Sequence, residues 1–192
     1  MTSTFNIPNA LTWCRIILIP VFLACFYLPW PYGRLIAAFF FLLAAITDWL
    51  DGFLARTLHQ TSAFGAFLDP VADKLMVAVA LIVLVAQYPT LWMAIPGMVI
   101  VCREIVISAL REWMAELGQR AVVKVSYIGK VKTAVQMLAL LILLSQPTLY
   151  NPITITGFVL MYVAVILTLW SMFVYLGVAW KTLRHLPSIM GQ

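Results

Sequence analysis

Apolar stretches of about 20 residues recur along the whole chain, the length a helix needs to cross a bilayer. They fall at about 11–29, 34–55, 70–88, 91–110, 130–146 and 153–179. Three of the breaks between them are short and rich in turn formers: "PWPYG" at 29–33, "YPT" at 88–90 and "SQPTLYNP" at 145–152. Two are longer and polar, 56–69 and 111–129. No internal repeat, low-complexity tract or soluble domain interrupts the pattern. It predicts an all-α integral membrane bundle of six transmembrane helices, with residues 1–192 forming a single domain.

Composition agrees with the pattern. The chain is 64% hydrophobic and 10% charged, and its mean hydropathy is +1.02. Soluble domains carry roughly a quarter charged residues. The net charge of +5 therefore bears on topology and anionic lipid. It does not point to nucleic acid, because no basic cluster is interleaved with aromatics in a soluble region. Cys14, Cys25 and Cys102 lie singly in apolar stretches, without a CxxC or Cys/His spacing, and read as buried thiols. No basic n-region and cleavage site opens the chain, so the first span is expected to act as its own insertion signal.

Basic residues set the orientation. Of the 12 lysines and arginines, only Arg34 falls on the side away from the two long polar connections. By the positive-inside rule, the termini and both long loops are expected in the cytoplasm.

All four aspartates lie in the stretch "TDWLDGFLARTLHQTSAFGAFLDPVADK" at 47–74. Asp48 falls about two turns inside the second span, on the order of 10 Å deep at 1.5 Å per residue. An ionised carboxylate there costs at least ~2.5–3.5 kcal/mol, so it is expected to face an aqueous cavity. Asp48 and Asp51 are three apart, Asp69 and Asp73 four apart, and each pair shares a helix face. Pro70 suits the first turn of the third helix, with Asp69 as its N-cap. Four neighbouring carboxylates repel unless cations neutralise them. Oxygen donors without His or Cys favour Mg²⁺ or Mn²⁺. Two such ions could clamp a phosphoryl group during in-line displacement. Gly52 and Ala55 share the face of the first pair and admit a close neighbour. Arg56 can fork onto phosphate oxygens, and Gly65 suits a close approach in the connection.

The pattern Asp48-x2-Asp51-Gly52-x2-Ala55-Arg56-x8-Gly65-x3-Asp69-x3-Asp73 resembles the full signature of the CDP-alcohol phosphotransferase family. Eight fixed residues at fixed spacing make it specific. "NIPNALTWCRIILIP" at 6–20, "REIVISALREWMAELG" at 103–118 and "GKVKTAVQ" at 129–136 are similar to the bacterial members whose acceptor is glycerol 3-phosphate. The resemblance implies that Asp48, Asp51 and Asp69 bind two divalent ions. It implies that Asp73 also lies at the metals and acts as general base. Gly52, Ala55, Arg56 and Gly65 would line the CDP pocket. The donor would be CDP-diacylglycerol, reached from the lipid, with CMP leaving; a homodimer in a bacterial inner membrane, with a cytoplasm-facing cavity, is also implied.

Glycerol 3-phosphate is a dianion and needs cations near that site. Arg103, Arg111, Lys130 and Lys132 are the candidates, because the fourth and fifth spans end on the same face. Asn9, Thr12 and Arg15 recur at three-residue spacing and could support the nucleotide site, or pack, or meet lipid headgroups. Glu104 is expected to pair with a nearby arginine, while Glu112 and Glu116 read as solvated. His59 and His185 are expected in loops, outside the chemistry. No Ser/His/Asp or Cys/His set suggests a covalent enzyme intermediate.

Two rival readings remain at this stage. One keeps the chemistry with another acceptor, such as inositol phosphate or serine. The other is a divalent-cation transporter, which would need polar groups along a whole transmembrane path. Here every carboxylate falls in the cytoplasmic half.

Overall fold

The computed structural model describes residues 7–58, 63–117, 127–146 and 148–185. Within them, side chains are described except at 7–9, 49, 51–58, 63, 64, 66, 67, 127, 128, 130, 181–183 and 185. The described residues form six helices and no strand: α1 Ile7–Tyr27, α2 Gly33–Leu58, α3 Ala63–Gln87, α4 Leu91–Glu116, α5 Tyr127–Ser145 and α6 Pro152–His185. The expected all-α bundle is what forms.

Among the described residues, three segments are long and apolar enough to cross a membrane: Ala10–Tyr27, Leu91–Glu116 and Pro152–Trp180. Val131–Ser145 is a shorter apolar helix. Large apolar side chains are exposed on the outside of the bundle, Ile17, Phe39, Ile82, Ile105, Ile166 and Phe173 among them. A soluble bundle would present charge on those faces; lipid accepts them as they are. The 34 residues of α6 span about 51 Å, longer than the ~30 Å hydrocarbon layer.

α1 packs chiefly on α2, and α5 on α6; α2 meets α5, and α3 bridges α1, α4 and α5. The fully buried centre is Phe22, Phe41, Leu81, Leu84, Met93, Ile100, Leu140, Leu143, Leu144 and Met161. Two glycines let backbones approach. A Cβ on Gly33 would sit 2.6 Å from the Cys25 carbonyl oxygen, so the tight turn from α1 into α2 needs glycine. A Cβ on Gly157 would meet Leu143 at 2.9 Å, where α6 lies against α5. Pro152 opens α6 at a position where a missing N–H costs nothing, and Asn151 Oδ1 accepts the Ile153 N–H at 3.1 Å as its cap.

Helix ends differ from the sequence expectation in two places. The polar stretch 56–69 is mostly helical: α2 continues to Leu58 and α3 begins at Ala63. Asp69 is therefore inside α3 rather than its N-cap, and Pro70 is an interior proline. Hydropathy marks where a helix leaves the apolar layer, not where its hydrogen bonds stop. His185 likewise ends α6 rather than lying in a loop, while His59 lies outside the described residues.

The chain runs up and down, so the C-terminal ends of α2, α4 and α6 and the N-terminal ends of α3 and α5 share one end. That end carries the aspartates.

Candidate active site

On α3, Asp69 and Asp73 are one turn apart and project on one face, as their spacing requires. α2 brings Asp48 beside them, and all three line one cavity of about 550 Å³. α1 completes this wall. Thr12 donates a hydrogen bond to Asp69 Oδ1. Arg15 Nη1 lies 2.5 Å from Asp73 Oδ1 and 3.1 Å from Asp48 Oδ1. Thr12 and Arg15 are almost completely buried, whereas Asp48 and Asp73 are 38% and 42% exposed. The buried cation thus holds carboxylates that still face the cavity.

The opposite wall is basic. Arg103 and Arg111 of α4 and Lys132 of α5 line the same cavity. Glu104 Oε1 accepts from Arg103 Nη1 at 2.7 Å and from Lys132 Nζ at 3.1 Å, joining α4 to α5. Arg103 Nη2 donates to Ser171 Oγ at 2.9 Å, and Ser171 Oγ in turn donates a hydrogen bond to the Thr168 carbonyl. Arg111 Nη2 donates to the Tyr175 hydroxyl at 3.0 Å, with its guanidinium carbon 5.3 Å from the centre of the same ring. Lys74, next to Asp73, donates to Ser108 of α4 and also lines the cavity.

The structure therefore brings together Asp48, Asp69, Asp73, Arg103, Arg111 and Lys132 in one cavity, with Thr12 and Arg15 behind the carboxylates. Gly65 is buried one turn before Asp69 and is not part of the cavity wall. Asp51, Gly52, Ala55 and Arg56 lie in α2, but their side chains are outside the described residues. The same holds for Asn9 in α1 and Lys130 in α5. Sequence reasoning missed Lys74, Ser108, Gln136, Ser171 and Tyr175. Two spacings could have signalled some of them. Gln136 follows Lys132 by one turn, and Tyr175 follows Ser171 by one turn, in otherwise apolar helices.

Asp48, Asp69 and Asp73 offer oxygen donors only, the chemistry that suits a hard divalent ion. Among the described residues, no three acidic, His or Cys side chains are gathered tightly enough to hold one.

A membrane cavity that gathers carboxylates from α2 and α3 with arginines and a lysine from α4 and α5 fits a reaction between two phosphorylated partners. The family model for CDP-alcohol phosphatidyltransferase matches residues 5–170. The chain belongs to this family. Among its relatives are proteins called CDP-diacylglycerol–glycerol-3-phosphate 3-phosphatidyltransferase. That of Yersinia enterocolitica is 53% identical over 178 residues, covering 93% of this chain and 97% of the relative. That of Salmonella typhimurium is 53% identical over 175 residues, covering 91% and 95%. In Yersinia pestis the identity is 52% over 178 residues, covering 93% and 97%. The matched span of the family model takes in every cavity-lining aspartate and cation named above.

Proposed function

We propose that this protein transfers the phosphatidyl group of CDP-diacylglycerol to glycerol 3-phosphate, giving phosphatidylglycerophosphate and CMP. It is the first step of phosphatidylglycerol, and hence cardiolipin, synthesis. The observation that carries the reading is the single cavity with Asp48, Asp69 and Asp73 on one wall and Arg103, Arg111 and Lys132 on the other. The relatives' name supplies the two substrates.

In this reading Asp73 takes the proton of an acceptor hydroxyl as that oxygen attacks the β-phosphorus of the donor. The phosphorus–oxygen bond to CMP breaks, and CMP leaves with the pair of electrons. Arg103, Arg111 and Lys132, with Lys130, hold the acceptor's phosphate by charge-assisted hydrogen bonds. Glu104 keeps Arg103 and Lys132 close in the absence of that dianion. Arg15 and Thr12 fix the directions of Asp73 and Asp69 from behind, and Asn9 belongs to the same face of α1. Gly52, Ala55 and Arg56 form the CDP pocket, with Gly65 behind it.

Asp48, Asp51, Asp69 and Asp73 would hold two divalent ions, Mg²⁺ or Mn²⁺, which when bound neutralise the diphosphate and polarise its oxygens. The all-oxygen donor set supports that identity. Residues 1–192 form one catalytic domain of six transmembrane helices in a bacterial cytoplasmic membrane, with the termini and the cavity on the cytoplasmic side. The eleven cations that the sequence places at the aspartate end support this orientation. The working form is a homodimer, as the family resemblance implies.

The test is CMP release by the purified protein in detergent with CDP-diacylglycerol and Mg²⁺. Glycerol 3-phosphate, inositol phosphate and serine are offered separately. Release with glycerol 3-phosphate alone, lost in Asp73→Asn and with a chelator, is the expected result. Release with a different acceptor would overturn the acceptor assignment.

A further inference from the structure

A second cavity, of about 540 Å³, lies at the end of the bundle away from the aspartates. Its walls include Phe26, Tyr27 and Trp30 from the end of α1 and the turn after it, Arg34 of α2, and Ala86 and Gln87 of α3. Arg34 is the one cation that the sequence places at this end. All seven acidic residues of the chain belong to the other end or to α4 beyond its midpoint. The nearest along α2 is Asp48, about 21 Å away at 1.5 Å per residue.

Arg34 forms no ion pair with a described residue. Its contacts are with a ring and a carbonyl. The guanidinium carbon lies 5.7 Å from the centre of Phe26, and Nη1 donates to the Gln146 carbonyl at 3.3 Å. Capping the end of α5 does not account for Arg34. The same carbonyl already accepts Gln87 Nε2 at 2.6 Å and the Tyr88 hydroxyl at 2.8 Å, so the arginine's bond is the longest of three. A guanidinium carries five N–H donors in a planar fork, and four remain beyond this bond.

The rim says what kind of anion can reach it. Tyr27, Trp30 and Tyr32 are 63%, 65% and 67% exposed, beside the exposed Leu28. Exposed Trp and Tyr at the ends of membrane helices settle at the headgroup level of a bilayer. A charged fork inside a cavity at that level, without a carboxylate partner, complements a phosphate oxygen. The volume lies within the range of small-ligand sites.

We propose that this cavity is a second, non-catalytic lipid site, taking the phosphodiester headgroup of a phospholipid from the leaflet opposite the aspartates. Arg34 binds the phosphate, and Tyr27 and Trp30 flank the glycerol region. The site is independent of the transfer reaction.

The test places a p-benzoylphenylalanine photo-crosslinker at position 30 of the full chain. The protein is then embedded in nanodiscs of uncharged glycolipid containing a minority of phosphatidylglycerol. The mass of the peptide bearing position 30 reports which lipid is captured. The expected result is phosphatidylglycerol capture above its mole fraction, by roughly tenfold for a charge-assisted bond. Arg34→Gln should remove the enrichment and Arg34→Lys should keep part of it, with CMP release retained in both as the sign of an intact fold. Capture at the mole fraction in the unsubstituted protein would overturn the proposal without any variant. So would enrichment that survives Arg34→Gln. Loss of the adduct on adding excess inorganic phosphate would assign the cavity to a soluble anion and overturn the lipid reading.

Discussion

Arg15 of α1 touches Asp73 of α3, Nη1 to Oδ1 at 2.5 Å, and the same nitrogen lies 3.1 Å from Asp48 of α2. One buried cation thus ties three helices together at the wall where the chemistry is proposed. Two carboxylates that would otherwise repel share a positive partner. They keep the exposure that a substrate or ion needs.

Replacing Arg15 by methionine should therefore lower both stability and turnover. Breaking a fully buried pair costs ~3–5 kcal/mol, and the part-exposed carboxylates recover some of that from water. A fall in Tm of several degrees in detergent is expected. Arg15→Lys should restore stability more than turnover, because an ammonium on a flexible stem keeps the charge but does not fix the directions of the two carboxylates as the planar guanidinium does. Equal recovery of both would show that only the charge matters.

Asp69→Asn should abolish CMP release while the protein still elutes as a folded species. Thr12→Val, which removes the hydrogen bond to Asp69, should be milder, roughly three- to tenfold in turnover for a bond of about 1 kcal/mol. Thr12→Ser should return most of it. Near-normal turnover in folded Asp69→Asn would remove that carboxylate from the site.

Much of this arrangement could be read before any coordinates. Six apolar runs became six helices, and the spacing of Asp69 and Asp73 became one helix face on the cavity. The Asn9-Thr12-Arg15 spacing left α1 open between the site, packing and lipid headgroups; in the structure Thr12 and Arg15 reach Asp69 and Asp73. Helix ends at 56–69 were not legible, because a helix continues through polar residues as readily as apolar ones. Ser171 and Tyr175 were not legible as partners of Arg103 and Arg111. Their role depends on α6 packing on α4, which local pattern does not encode. The far cavity was also invisible, since it arises where α1, α2 and α3 converge.

Gly33→Ala tests the packing alone. The added Cβ would meet the Cys25 carbonyl at 2.6 Å, a backbone atom that cannot swing aside, so a cost of ~1–3 kcal/mol is expected. The measurement is Tm in detergent, with CMP release per folded molecule unchanged. An unaltered Tm would show that the turn relaxes freely.

The last expectation separates the two walls of the cavity. Arg111→Ala should raise the KM for glycerol 3-phosphate far more than that for CDP-diacylglycerol, because the basic wall meets only the acceptor's phosphate in the proposed reaction. Tyr175 gives the finer test. Tyr175→Phe keeps the ring under the guanidinium but removes the 3.0 Å hydrogen bond, a loss of about 0.5–1.5 kcal/mol. The acceptor KM should rise roughly two- to tenfold, with kcat and the donor KM little changed. If both variants raise the two KM values together, Arg111 and Tyr175 hold α4 against α6 and do not read the acceptor. If only Arg111→Ala acts, the ring alone positions the guanidinium.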